Sequence, residues 1–246
     1  METVFTQTFE VSAAQVDCFG RAKPSSLLFF AQEAAGEHCR ELALDWDTLA
    51  QRNLFWAVIR YRVQITRLPQ LGEKLTVQTW PMPTTRTAFP RATAGYDEKG
   101  NEIFRIIGLW VLMDRTSRTM VLPGKSGIEL SGSLRGGELA TPGTIAPIPL
   151  SNTTLRRVGY TELDRNGHMN NTKYLDWVDD LLPAAFHEAH PVTEFTLGYL
   201  AEALEGQALS LHWQLLDGPV LQVDARRENP DVPEKPTRVF TARLQF

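Results

Sequence analysis

The chain repeats itself. An Asp-x-x-Gly turn followed by an apolar, helix-like segment occurs at residues 17–20 and again at 164–167, a separation of 164 − 17 = 147 residues. The same offset aligns Leu28 with Leu175 and Phe30 with Trp177. An extended segment follows in each half. A glycine (Gly72, Gly206) then precedes an alternating strand marked by Leu75 and Val77 or by Leu209 and Leu211. Each half closes on a strand-rich stretch, EIFRIIGLWVLMD in the first and TRVFTARLQF in the second. A unit this long is a duplicated domain, because solenoid repeats are shorter.

Between the halves, residues 122–150 hold six Gly and four Pro in 29 positions and no aromatic side chain. That density interrupts helices and strands. The expected organisation is a domain over 1–122, a linker over 123–151 and a second domain over 152–246. In the first half, Ser25 or Ser26 can cap a helix reaching about Leu44, with apolar positions at 28, 31, 35, 39 and 42. In the second, residues 170–185 read as a helix with Tyr174, Val178, Leu181 and Ala185 on one face. The remaining segments alternate with period two, as strands do. The fold class is therefore α+β, with an antiparallel sheet wrapped around a long helix, present twice.

Composition narrows the function. The charge balance, 25 − 29 = −4, offers no basic field for a nucleic acid. No apolar run approaches the ~20 residues that span a bilayer, so no membrane partner is expected. The first residues, METVFTQTFEVS, show neither a basic nor an apolar signal region, and a cytoplasmic location is the expectation. Two cysteines, Cys18 and Cys39, are too few for a disulfide scaffold and have no clustered histidines to build a zinc site. No metal or cofactor is expected.

The densest cluster of reactive side chains is Asp164-x-Asn166-x-His168-Met169-Asn170-Asn171, where a strand gives way to the second helix. The first amides of a helix are unpaired donors carrying partial positive charge. An oxyanion forming beside Asn170 or Asn171 would gain from them. One such donor is worth ~3–4 kcal/mol of transition-state stabilisation. His168 can exchange a proton near neutral pH, and Asn166 offers an uncharged donor and acceptor. Asp164 can fix an imidazole tautomer or accept from an amide. The plain alternative is that Asp and Asn only cap the helix and close turns, which is the better account of Asn170 and Asn171 taken alone. It covers residues 164, 166 and 168 less well, because alternation puts them on one side of the chain. The first half has Asp17, Phe19 and Arg21 at the matching places, which keeps the scaffold without the Asn and His.

The string ELDRNGHMNNTKYLDWV resembles the active-site segment of the acyl-acyl-carrier-protein thioesterases. NLFWAVIRYRVQITRLPQLGEKLTVQTWP, GLWVLMDRTSRTMVLP and TLGYLAEALEG extend the resemblance over nearly the whole chain. The resemblance implies a tandem pair of hotdog domains that hydrolyse a fatty acyl thioester on carrier protein to the free acid. It assigns catalytic positions to Asp164, Asn166 and His168, and it aligns Glu202 with an implicated glutamate. Many plant members carry a Cys directly after that Glu. Here Ala203 stands there, so the expected nucleophile is water, deprotonated by Glu202 or His168.

The family is thought to place the acyl tail in the first domain. At ~0.8 kcal/mol per methylene, burial of that tail would supply much of the binding energy. Phe29, Phe30, Phe55, Trp56 and Trp110 are the expected lining, with Asn170 and Asn171 beside the thioester. The implied partner is acidic carrier protein, with docking candidates drawn from Arg156, Arg157, Arg165 and Lys173 near the motif and Arg86, Arg91, Arg105, Arg115 and Arg118 in the first half, most of which read as solvated surface. Either a monomer or a homodimer fits, since the tandem supplies each helix with a sheet. An acyl-CoA thioesterase on the same fold, or a non-catalytic acyl-binding module, are the alternatives.

Overall fold

The computed structural model describes residues 4–228 and 235–246. The chain forms two compact units, Met1–Pro142 and Gly143–Phe246. The first contains β1 (Phe5–Glu10), α1 (Pro24–Glu41), α2 (Trp46–Gln51), β2 (Leu54–Ile65), β3 (Lys74–Pro81), β4 (Phe89–Tyr96), β5 (Glu102–Asp114), β6 (Met120–Val121) and α3 (Pro123–Ser126). The second contains β7 (Asn152–Arg157), α4 (Asn171–Asp179), α5 (Ala184–Ala189), β8 (Glu194–Tyr199), β9 (Ala208–Leu216), β10 (Val220–Arg227) and β11 (Thr237–Gln245).

Each unit is one antiparallel sheet, and the two share a strand order. The first runs β1-β3-β4-β5-β2, with β6 added beside β5. The second runs β7-β9-β10-β11-β8. The repeat keeps its offset through the first helix: α1 opens at Pro24 and α4 at Asn171, and 171 − 24 = 147. By β3 and β9 the offset has fallen to 208 − 74 = 134, because the second unit has a shorter first helix and a shorter strand after α5 than the first unit has after α2.

Helix boundaries depart from the sequence reading in both halves. Pro24 occupies the first turn of α1 with Lys23 at the N-cap, and Ser25 and Ser26 lie inside the helix, buried. Proline fits there because its missing N–H would have been unpaired anyway. Ser26 Oγ donates instead to the Gln15 carbonyl at 2.7 Å. The helix stops at Glu41 rather than at Leu44. The second helix ends at Asp179, well short of residue 185, and Ala185 is exposed. Pro183 is the reason: it cannot donate within a helix and holds the preceding residue out of the α region. The long central helix is thus a property of the first unit.

In the first unit α1 buries Leu27, Leu28, Phe30, Ala31, Ala34 and Ala35 against the sheet. The opposite face carries Trp80, Met82, Ala92, Ala94 and Ile107, which form a second apolar cluster. That face needs cover, and the segment read as linker supplies it. Leu139 packs on the cluster, and Ser133 N–H donates to the Pro81 carbonyl at 3.0 Å. Ile128 joins Leu49, Leu54, Phe89 and Leu112 in a further cluster. As a compact body the first unit includes this segment and extends to Pro142.

Gly108 shows how tightly the inner face is filled. A Cβ there would stand 2.7 Å from the Tyr61 ring and 2.9 Å from Trp110 Nε1. Gly108→Ala should cost about 1–3 kcal/mol, read as a lower denaturant midpoint at unchanged m-value.

Candidate active site

The motif loop is built around one carboxylate. Asp164 Oδ1 accepts from the backbone N–H of Asn166 at 2.7 Å and of His168 at 3.2 Å. The loop closes with Asp164 N–H donating to the His168 carbonyl at 2.7 Å and Gly167 N–H to the Asp164 carbonyl at 3.0 Å. Gly167 has φ +78°, a left-handed conformation that glycine adopts without strain. The first unit repeats this loop atom for atom. Asp17 Oδ1 accepts from Phe19 N–H and Arg21 N–H, each at 2.9 Å, and Gly20 has φ +77°. Of the two roles open to Asp164, that of amide acceptor is the one its Oδ1 fills.

A second extended segment, following β8, supplies the partner. Met169 N–H donates to the Ala203 carbonyl at 2.8 Å, and His168 bridges to Leu204. Met169 and Ala203 point inward and are buried. By alternation, His168 and Glu202 share the other side of this pair of strands. His168 Nε2 lies 3.3 Å from Glu202 Oε2. The imidazole is nearly enclosed, with 11% of its side chain accessible, whereas the carboxylate keeps 43%. A nearly enclosed imidazole thus faces a carboxylate that is open to solvent.

Three residues that the motif did not single out hold this geometry. Arg227 Nη1 donates to the Glu202 carbonyl at 2.9 Å and to Gln207 Oε1 at 2.6 Å. Gln207 Oε1 also accepts from Leu204 N–H at 3.0 Å, which pins the segment behind Glu202. Tyr174, on α4, packs edge-on against Tyr199 and Phe240, and burial raises its phenol above the usual range. No local pattern could have revealed Arg227, since strand register alone brings it back to Glu202.

Asn170 and Asn171 serve the helix. Asn170 Oδ1 accepts from Thr172 N–H at 2.9 Å, an N-cap, and its own N–H donates to the Glu162 carbonyl at 2.8 Å. The Asn171 carbonyl accepts from the Tyr199 hydroxyl at 2.8 Å. The cap reading accounts for Asn170, whose side-chain oxygen is already committed.

The aromatic residues expected along an acyl chain are divided among separate environments of the first unit. Phe30 is fully buried beside Phe9 and Phe29, and Phe29 is 42% exposed. Trp56 packs edge-on to Phe89 and donates its indole N–H to the Leu44 carbonyl at 3.0 Å. Phe55 lies under the Arg118 guanidinium, and Trp110 is edge-on to Tyr61. Several docking candidates are also engaged: Arg156 pairs with Asp180, Lys173 with Asp176 and Arg105 with Glu102, and Arg157 donates to the Gly206 carbonyl. Arg91 is buried and is not a docking residue.

The strand order and the site loop define a tandem hotdog protein with its polar site in the second repeat. Comparison with known proteins specifies the family. The acyl-ACP thioesterase N-terminal domain model matches residues 2–122 and the C-terminal domain model residues 147–231, and the chain belongs to this family. A palmitoyl-acyl carrier protein thioesterase of Gossypium hirsutum is 26% identical over 81% of this chain and 52% of its own length. A dodecanoyl-[acyl-carrier-protein] hydrolase of Umbellularia californica is 26% identical over 84% and 58%. The chain thus spans little more than half the length of these curated relatives. Among solved structures, an acyl-ACP thioesterase from Bacteroides thetaiotaomicron superposes with a TM-score of 0.88 at 22% identity, covering 99% of this chain and 98% of that one. The 12:0-ACP thioesterase of Umbellularia californica gives 0.82 at 22% identity, covering 100% and 97%. At that identity these structures establish the fold.

Asp17 and Asp164 accept from the same two loop positions, and Asp17 also pairs with Arg21, so its removal should cost at least as much. Asp17→Ala and Asp164→Ala should each lose about 1–3 kcal/mol in urea unfolding, the cost of buried amides left without an acceptor. A much smaller loss at Asp164 would mean that its loop is held by other groups.

Proposed function

We propose that the protein hydrolyses fatty acyl thioesters carried on acyl-carrier protein, with water as the nucleophile. The observation that carries this reading is the His168–Glu202 pair at 3.3 Å. It stands on a loop whose duplicate bears Arg21 in place of His168, while Leu68 takes the place of Glu202. The first unit thus serves as an internal control: the same scaffold folds without the pair.

In this mechanism a water bound to the exposed carboxylate of Glu202 gives it a proton as the water oxygen bonds to the thioester carbon. The carbonyl π electrons move onto oxygen. The Asn166 amide, an uncharged donor in the same loop, meets that charge, and Asp164 keeps its backbone in place. His168 donates its Nε2 proton toward Glu202 and so orients the carboxylate. When the tetrahedral intermediate collapses, the carbon–sulfur bond breaks and the proton held by the pair passes to the sulfur, leaving acid and thiol. Ala203 following Glu202 removes the thiol that a covalent route would need at that position. The first unit is assigned the acyl chain, on the strength of the family resemblance and of the apolar face of α1.

Steady-state release of carrier-protein thiol tests the reading. His168→Ala and Glu202→Gln should each lower kcat by about 10²–10⁴, with melting temperatures close to the parent. Near-parental rates in both would remove the pair from the chemistry. Rates on carrier-protein thioesters should also fall as ionic strength rises, whereas matched CoA thioesters should respond less.

A further inference from the structure

The duplication shows what surrounds the place of Glu202 in a repeat that lacks the glutamate. The 134-residue offset sets Glu73 against Gln207 (207 − 73 = 134) and Arg67 against Ala201 (201 − 67 = 134). Both turns close on the same hydrogen bond. Gln70 N–H donates to Glu73 Oε2 at 2.9 Å, and Leu204 N–H donates to Gln207 Oε1 at 3.0 Å. Just before each turn, Ala22 N–H donates to the Pro69 carbonyl at 2.7 Å and Met169 N–H to the Ala203 carbonyl at 2.8 Å. Strand register completes the match. Tyr96 stands opposite Thr76 and Arg226 opposite Ser210, with 210 − 76 = 134. Asp97 and Arg227, one residue further on, therefore hold the same place.

The charges at these places are reversed. In the first unit Arg67 grips Glu73 with both arms of its fork, Nη1 to Oε2 at 2.9 Å and Nη2 to Oε1 at 2.6 Å. Nη2 also reaches Asp97 Oδ2 at 3.3 Å. The Arg67 guanidinium holds the Glu73 carboxyl below its usual range. The Leu68 carbonyl, counterpart of the Glu202 carbonyl, is met by the Gln70 side-chain amide at 3.2 Å. In the second unit Gln207 replaces Glu73 and Arg227 replaces Asp97, while Leu204, in place of Gln70, has no side-chain amide to offer. Arg227 takes over that work. Its Nη1 serves two neutral acceptors, the Glu202 carbonyl at 2.9 Å and Gln207 Oε1 at 2.6 Å.

The difference between Glu and Gln decides where the guanidinium goes. Gln207 Oε1 accepts from two donors, which fills both lone pairs of an amide oxygen. A carboxylate at that position takes a guanidinium in the stronger, two-armed form that Arg67 and Glu73 display. An amide leaves it able to reach the main chain of Glu202. The Tyr174 phenol shows how near these groups stand: burial raises it, the charges of Asp164 and Glu202 push the same way, and Arg227 opposes them.

We propose that Arg227 is a positioning residue for the reaction: it acts through the main chain of Glu202 to hold the carboxylate opposite His168, and it can do so only while residue 207 is uncharged. The inference rests on the hydrolytic reading of the His168–Glu202 pair. The Glu202 side chain leaves the backbone one bond from the carbonyl carbon that Arg227 fixes, so rotation there re-aims the carboxylate. A misplacement of about 1 Å can cost about 10²-fold in rate.

Thiol release from one carrier-protein thioester, measured for Arg227→Met, Arg227→Lys and Gln207→Glu, tests the proposal. Arg227→Met should lower kcat by about 10–100-fold with KM within about threefold, and Arg227→Lys should recover part of the loss. Gln207→Glu separates stability from positioning. It should melt at or above the parent temperature, because it gains an ion pair, and yet lose about tenfold or more in kcat. A merely structural Arg227 would leave Gln207→Glu as active as the parent, and that result would overturn the proposal. Nitrogen-15 resonances of the histidine rings give a readout that needs no hydrolysis. Those of His168, assigned with His168→Ala, should move in Arg227→Met and Gln207→Glu, while those of His187 and His190 stay in place. If the parent cleaves no thioester but His168 responds in this way, the hydrolytic reading fails and the positioning role stands. Unmoved His168 resonances in both variants would overturn it, whatever the parent's activity.

Discussion

A short-range electrostatic contact underlies the site: one carboxylate oxygen accepting the backbone N–H groups of two alternate residues within a tight, glycine-closed loop. It fixes the path of residues 164–168, and with it the height at which His168 leaves the backbone. The neighbouring strand is tied to that loop by the Met169–Ala203 hydrogen bond. The spacing between the imidazole and the Glu202 carboxylate is therefore set by main chain rather than by side-chain flexibility. Geometry held in this way needs little reorganisation, which is what a proton-transferring pair requires.

The duplication separates scaffold from chemistry inside one molecule. Both loops use an aspartate and a positive-φ glycine in the same roles. Side chains projecting from the loops differ completely. In the first unit Arg21 turns back to pair with Asp17, closing the loop on itself. In the second, an imidazole takes that place and faces a glutamate instead. The interiors differ in the opposite sense, polar around Arg91 and apolar around Leu221.

The sequence displayed the duplication, the α+β class and the His168-bearing loop because each is carried by local pattern: glycine placement, period-two alternation and a dense run of polar residues at a helix start. Glu202 was reachable only through family resemblance, since an isolated strand-end carboxylate looks like any other. Arg91 was hidden among other arginines, because burial of a charge depends on register between β3, β4 and β5 and on the reach of α1. The true helix ends were also misjudged. Ser25 and Ser26 are strong capping types, but Pro24 before them had already taken the first turn. Pro183 should have ended the second helix on sequence grounds.

The Gly- and Pro-rich stretch after residue 122 has a wider consequence for how such halves can be exchanged. By lying over Trp80, Met82 and Ile107 it works as an outer wall of the first unit. A recombination event that cut at the composition boundary would leave that half with a bare apolar strip and a tendency to self-associate. Domain shuffling within this architecture therefore has to move the wall with the room it encloses, and the natural seam is at Pro142.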